Sequence, residues 1–189
     1  MSAAPLLVGL GGSTGPSSLT GRLLHDCLKR GEDRGARTIA FDGPQLAELS
    51  IFSPHGGEVN DVAVALVEAV RQADAVVIAT PGYHGGMSGL VKNAIDHLEW
   101  LHEDSRPYLD GRAVGVIVSA AGWQACGTTL VSVRSAIHAL RGWPTPFGVT
   151  VNSAEQGPED ATVAGSLEIL AGQLVDFTSW QAAARASAR

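Results

Sequence analysis

The chain alternates between short unbroken apolar runs and longer stretches in which apolar residues recur every third or fourth position. The first kind reads as buried strand, the second as amphipathic helix. Pro5–Gly11 (PLLVGLG) predicts a strand, and Leu19, Leu23, Leu24 and Leu28 then mark a helix. Gly35–Asp42 (GARTIAFD) predicts a second strand, followed by a connection, GPQLAELSIFSPHGGE, with room for a short helical turn. Val62, Leu66, Ala69, Val70 and Ala73 predict a helix ending near Asp74, and Ala75–Pro81 (AVVIATP) a third strand. Leu90, Ala94, Ile95, Leu98 and Leu101 predict one continuous helix, and Ala113–Gly122 (AVGVIVSAAG) a fourth strand. A helix through Leu130, Val133, Ile137 and Leu140 leads to a fifth strand, Phe147–Asn152 (FGVTVN). Val163, Leu167, Leu170, Leu174 and Phe177 stripe a last helix, and the Ala-rich tail after Trp180 is expected to fray.

Five strands alternating with five helices predict an α/β fold, one doubly wound parallel sheet in a single domain over residues 1–189. Runs such as Val76–Ala79 and Val114–Val118 are apolar on both faces, which requires helices on both sides of the sheet. In such folds ligands sit beyond the carboxyl ends of the strands. That rule singles out three loops rich in small residues: Gly11–Thr20, Pro81–Ser88 and Ala120–Gly127.

Composition narrows the partners. A formal charge of −6, with no cluster of Lys or Arg, argues against nucleic acid. The two cysteines, Cys27 and Cys126, lack CxxC spacing and are read as free thiols in a reducing, cytoplasmic setting. A basic leader with a long apolar segment is not seen, and no run has the length to span a membrane, so neither export nor membrane insertion is expected. His25, His55 and His102 do not have metal-ligand spacing.

The first loop, GLGGSTGPSSLTGRLL, raises the question of which anion it holds. Glycines leading into a helix expose backbone N–H groups to which the helix dipole adds. No Gly-Lys-Ser/Thr follows, so it is not a P-loop. A dinucleotide fingerprint through Gly9, Gly11 and Gly15 is one residue too long, although Asp42 at the end of the second strand keeps a ribose contact open as an alternative. Ser13, Ser17, Ser18 and Thr20 surround the turn, and several hydroxyls can saturate the three outward oxygens of a terminal phosphate. The same serines also suit an ordinary helix cap.

The second loop carries more. ATPGYHGGMSGLVKNAIDHLEWL resembles the T-P-x-Y-x-x-x-x-S-G-x-x-K-N-x-I-D signature of the NADPH-dependent FMN reductase family. RQADAVVIATP before it, LGGSTGPSSLTGRLL at the first loop and YLDGRAVGVIVSAAG at the third resemble the same family, so the likeness runs from the first strand to the fifth. Two departures stand out. Gly15 occupies the place of the family's loop arginine, and Gly82-Tyr83-His84 replaces the commoner Glu-Tyr-Asn.

The resemblance implies a flavodoxin-like sheet of order 2-1-3-4-5 that binds FMN. It implies phosphate contacts at Ser13, Ser18 and Thr20, and ring contacts at Pro81, Tyr83, His84, Gly85, Ser119, Ala121 and Gly122. Trp123 would narrow or cover the flavin face. It also implies hydride transfer from NADPH or NADH to FMN N5 and onward to an acceptor such as free flavin or a quinone. Such chemistry needs stacked rings and no protein base, so no catalytic side chain is expected. A homodimer or homotetramer and a flavin-dependent monooxygenase that receives reduced FMN are the implied partners. A flavodoxin-type electron carrier, or a flavin binder without turnover, is the alternative.

Overall fold

The computed structural model describes residues 4–15, 17–57 and 59–187, with residues 185 and 186 described by backbone only. Strands β1 (Leu6–Gly11), β2 (Arg37–Phe41), β3 (Ala75–Pro81), β4 (Ala113–Ala120), β5 (Trp143–Pro144) and β6 (Val149–Asn152) all run parallel. The order across the sheet is β2-β1-β3-β4-β5, with β6 also paired to β4, so the 2-1-3-4-5 order expected from the resemblance is the one found.

Strand alternation divides the core into two layers. Val8, Leu10, Val76, Ile78, Val114, Val116 and Val118 face the layer built with α3 (Asp61–Gln72), α4 (Gly89–Asp96) and α5 (Trp123–Ala139). Leu7, Val77, Ala79 and Ile117 face the layer built with α1 (Leu19–Asp33) and α6 (Ala161–Ser187). The short turn expected after the second strand is α2 (Gly43–Leu46). The helix α6 does not stop at Trp180 but continues through the Ala-rich tail to Ser187, as Ala's high helix propensity allows; residues 188 and 189 lie outside the described residues.

The structure differs from the pattern in two further places. The fifth sheet position is split: β5 pairs with Ala113 and Val114, β6 with Ile117–Ala120. Trp143 and Thr145 donate their N–H groups to Arg112 O and Val114 O beside them, but the next N–H on that side, that of Phe147, is donated to the side chain of Gln173 (3.0 Å), so pairing lapses between the two halves. The helix expected through Leu101 tightens after Asp96 into a 3₁₀ turn, His97–Leu101. There the buried His97 ring bonds the Asn93 carbonyl through Nδ1 (2.9 Å) and lies edge-on to Phe52 and Trp100.

At the opposite end of the sheet from the three loops, Arg112 is almost wholly buried. Its guanidinium donates to the carbonyls of Arg71 (2.7 Å), Ala73, Tyr108 and Asp110, tying the end of α3 to the start of β4. Burial pulls its pKa down to about 10.

Candidate active site

The first two loops are held by specific contacts. The first leaves β1 with the Gly12 N–H donating to Ala79 O (2.8 Å) and enters α1 at Ser18, whose hydroxyl accepts from the Gly21 N–H (3.1 Å) as an N-cap. A capping hydroxyl still has its own proton to donate, so the helix-cap role and a phosphate contact coexist at Ser18. Gly43, the first residue of α2, lies directly against this loop: a Cβ there would stand 1.8 Å from Ser13 O.

The second loop closes on itself. The buried Thr80 hydroxyl accepts the Ser88 N–H (2.9 Å), and Ser88 caps α4. Inside this closure Tyr83 and Gly86 exchange backbone hydrogen bonds (2.9 and 3.0 Å) across His84 (φ +52°) and Gly85 (φ +83°), the pattern of a type I′ turn. Gly82 is small for a reason other than ligand approach. A Cβ there would meet Thr129 Oγ1 (2.9 Å) and Ala120 Cβ (3.0 Å), so its missing side chain makes room for α5.

Two cavities open at the carboxyl ends of the strands. One, about 310 Å³, is walled by Ser13, Gly15, Ser18 and Gly43, with Arg22, His25 and Asp42 at its side. His25 Nε2 sits 3.0 and 3.1 Å from the two Asp42 oxygens. The other, about 540 Å³, lies between His84–Gly85 on one side and Ala121, Gly122, Ala125 and Thr128 on the other. Thr20 and Ser119 line neither. Both are buried, and their hydroxyls bond each other at 2.6 Å across the gap between α1 and β4. Pro81 is buried as the last residue of β3, opposite Ser119, while Tyr83 stands exposed beside the turn.

The sequence-predicted residues are thus gathered at one end of the sheet, but in different roles. Ser13 and Ser18 border the first cavity; His84, Gly85, Ala121 and Gly122 border the second; Thr20, Ser119 and Pro81 lie behind them. Trp123 departs from expectation: its indole N–H donates to Glu155 Oε2 (3.0 Å), so the ring turns toward the segment after β6 and is not part of the cavity wall. Sequence reasoning missed Gly43, Arg22 and His25. Ser18, Arg22 and His25 fall at i, i+4 and i+7, one face of a helix, and that spacing is the signal that could have found the last two.

A parallel doubly wound sheet of this order, with a hydroxyl-lined and a turn-lined cavity at its carboxyl edge, defines a flavodoxin-like fold. The chain belongs to the NADPH-dependent FMN reductase family, whose model matches residues 5–156. An FMN-dependent NADPH-azoreductase of Staphylococcus aureus (strain USA300) is 28% identical over 108 residues, 57% of this chain and 54% of that protein, so the chain matches about half the length of this relative. Two solved structures share the fold. An oxidoreductase from Corynebacterium diphtheriae has a TM-score of 0.71 at 19% identity, covering 94% of this chain and 98% of the other. The apo form of an NADH:FMN oxidoreductase has a TM-score of 0.71 at 19% identity, covering 90% of each chain.

Proposed function

We propose that this protein is an NAD(P)H-dependent FMN reductase. The observation that carries the reading is that a hydroxyl-lined cavity and a cavity walled by backbone turns both open at the carboxyl end of the sheet, where the buried Thr20–Ser119 pair ties α1 to β4. The residues present fit FMN. Ser13 and Ser18 offer hydroxyls to a terminal phosphate, and the His84–Gly85 turn and the Ala121–Gly122 backbone offer walls without bulky side chains to a flat ring. Bound FMN supplies the two-electron chemistry, accepting from a nicotinamide and giving to an acceptor. The chain holds the phosphate end at the first cavity and the ring against the closed loop between Thr80 and Ser88. Thr20 and Ser119 act as positioning residues: both are buried and line neither cavity, and their hydroxyl–hydroxyl bond ties α1 to β4.

The acceptor class that fits is flat and aromatic: free flavin, a quinone or an azo compound, the last in keeping with the name of the S. aureus relative. The partners proposed are further copies of this chain, as a homodimer or homotetramer, and a flavin-dependent monooxygenase that takes up reduced FMN. No helix among the described residues is long and apolar enough to cross a membrane. The test is reconstitution with FMN followed by steady-state oxidation of NADPH and NADH, with light scattering on the same sample. Flavin-dependent turnover with at least one of these acceptors is expected. FMN binding without any turnover would reduce the protein to a carrier or sensor.

A further inference from the structure

By the resemblance described above, Gly15 stands at the place of a phosphate-loop arginine. Read from the loop alone, the site lacks its cation. Another arginine lines the same cavity. Arg22, one turn beyond Ser18 on α1, lines it together with Ser13, Gly15 and Ser18.

Arg22 is also uncommitted. The other arginines and lysines with described side chains are engaged. Lys29, Arg30, Arg34, Arg71 and Lys92 pair with carboxylates. Arg37, Arg106, Arg112 and Arg134 donate to carbonyls, and Arg141 lies over the Tyr108 ring. Among the described residues, Arg22 has no carboxylate, carbonyl or aromatic partner. Asp42, a carboxylate on the same cavity, has both oxygens at hydrogen-bond distance from His25 Nε2 and is paired with it, not with Arg22.

We propose that Arg22 replaces the missing loop arginine: it is the cation that recognises the terminal phosphate, and it sets the preference for FMN over riboflavin. This rests on the FMN reading above. A guanidinium approaching from the helix keeps the fork of donors that suits a phosphate while freeing the loop position to be glycine.

The experiment uses the full chain stripped of flavin, titrated with FMN and with riboflavin by quenching of flavin fluorescence. The parent, Arg22→Gln, Arg22→Lys and Lys29→Gln are compared, with melting of each apo protein as the folding control. Arg22→Gln is expected to lose FMN affinity by about ten- to a hundredfold, the worth of a charge-assisted hydrogen bond, with riboflavin affinity unchanged. Arg22→Lys, which keeps the charge but not the fork, should fall between. Lys29→Gln removes a charge from the same helix away from the cavity and should match the parent. A parental FMN-to-riboflavin ratio in Arg22→Gln, or an equal loss for both flavins, overturns the assignment of Arg22 alone. A parent that binds riboflavin as tightly as FMN, or binds neither, overturns the flavin-phosphate reading itself.

Discussion

Gly43 is where a single hydrogen atom decides the shape of the site. Its Cα faces the backbone of the first loop so closely that any side chain would overlap Ser13 O and Ser13 C, at 1.8 and 2.2 Å. Backbone cannot swing aside as a flexible side chain can, so Gly43→Ala must push loop and α2 apart. The cost of such overpacking is about 1–3 kcal/mol, which in a domain this size lowers the melting temperature by roughly 2–10 °C. Because Ser13 travels with the loop, FMN affinity should fall by at least about tenfold. Calorimetric melting and flavin titration of the one variant read both effects. A parent-like Kd would mean that Ser13 does not touch the phosphate.

The turn Tyr83–Gly86 shows the same dependence at the scale of an element. Gly85 is at φ +83°, a region that β-branched residues adopt only under strain, on the order of 1–3 kcal/mol. Space is not the obstacle there, since a Cβ would make only an ordinary contact with Thr128 Oγ1 at 3.5 Å. Gly85→Val is therefore expected to open the turn and abolish flavin binding while leaving the apo protein folded, because the turn lies outside both core layers. Flavin titration beside an apo melt checks this, and FMN binding at parental affinity would refute it. Elements with strong periodicity were legible: Ala75–Pro81 is the third strand in both pattern and structure. The loops were legible as a place, through the strand-end rule, and the second as a motif. What pattern could not show were contacts between segments distant in sequence. The approach of Gly43 to Ser13, the Thr20–Ser119 pair and the Trp123–Glu155 bond all belong to that class. The split of the fifth strand was hidden because FGVTVN reads as a complete strand once Trp143 and Pro144 are assigned to the preceding loop.

Across the whole molecule, stability at high pH is tied to the sealed interior. Cys27 has no exposed surface, and burial, helped by the neighbouring Asp26 carboxylate, pushes its thiol pKa up to about 12 from an ordinary value of 9.0. Burial raises Cys126 as well. In the unfolded chain Cys27 loses its proton near its ordinary value, while in the folded chain it keeps it. The folded state then binds the extra proton, and stability falls as pH rises between 9.0 and about 12, by roughly 1.4 kcal/mol per unit for this thiol. Denaturant unfolding at a series of pH values should show that decline, and Cys27→Ser or Cys27→Ala should flatten it. In the native protein at neutral pH neither thiol should react with a disulfide reagent, and both should react once it is unfolded. Rapid labelling of the native chain would contradict the burial of both.

The break between β5 and β6 has a consequence for life in a crowded solution. An outer strand offers an unpaired row of backbone groups to any other extended chain, and long flat edges template association. This edge is interrupted where Pro146 lacks a donor and the Phe147 N–H is given to α6, and Pro144 removes another donor just before the gap. Two short pieces stand where one long strip would be, so a neighbouring chain finds no continuous ladder to join. At this edge the sheet keeps its last strand without inviting growth strand upon strand.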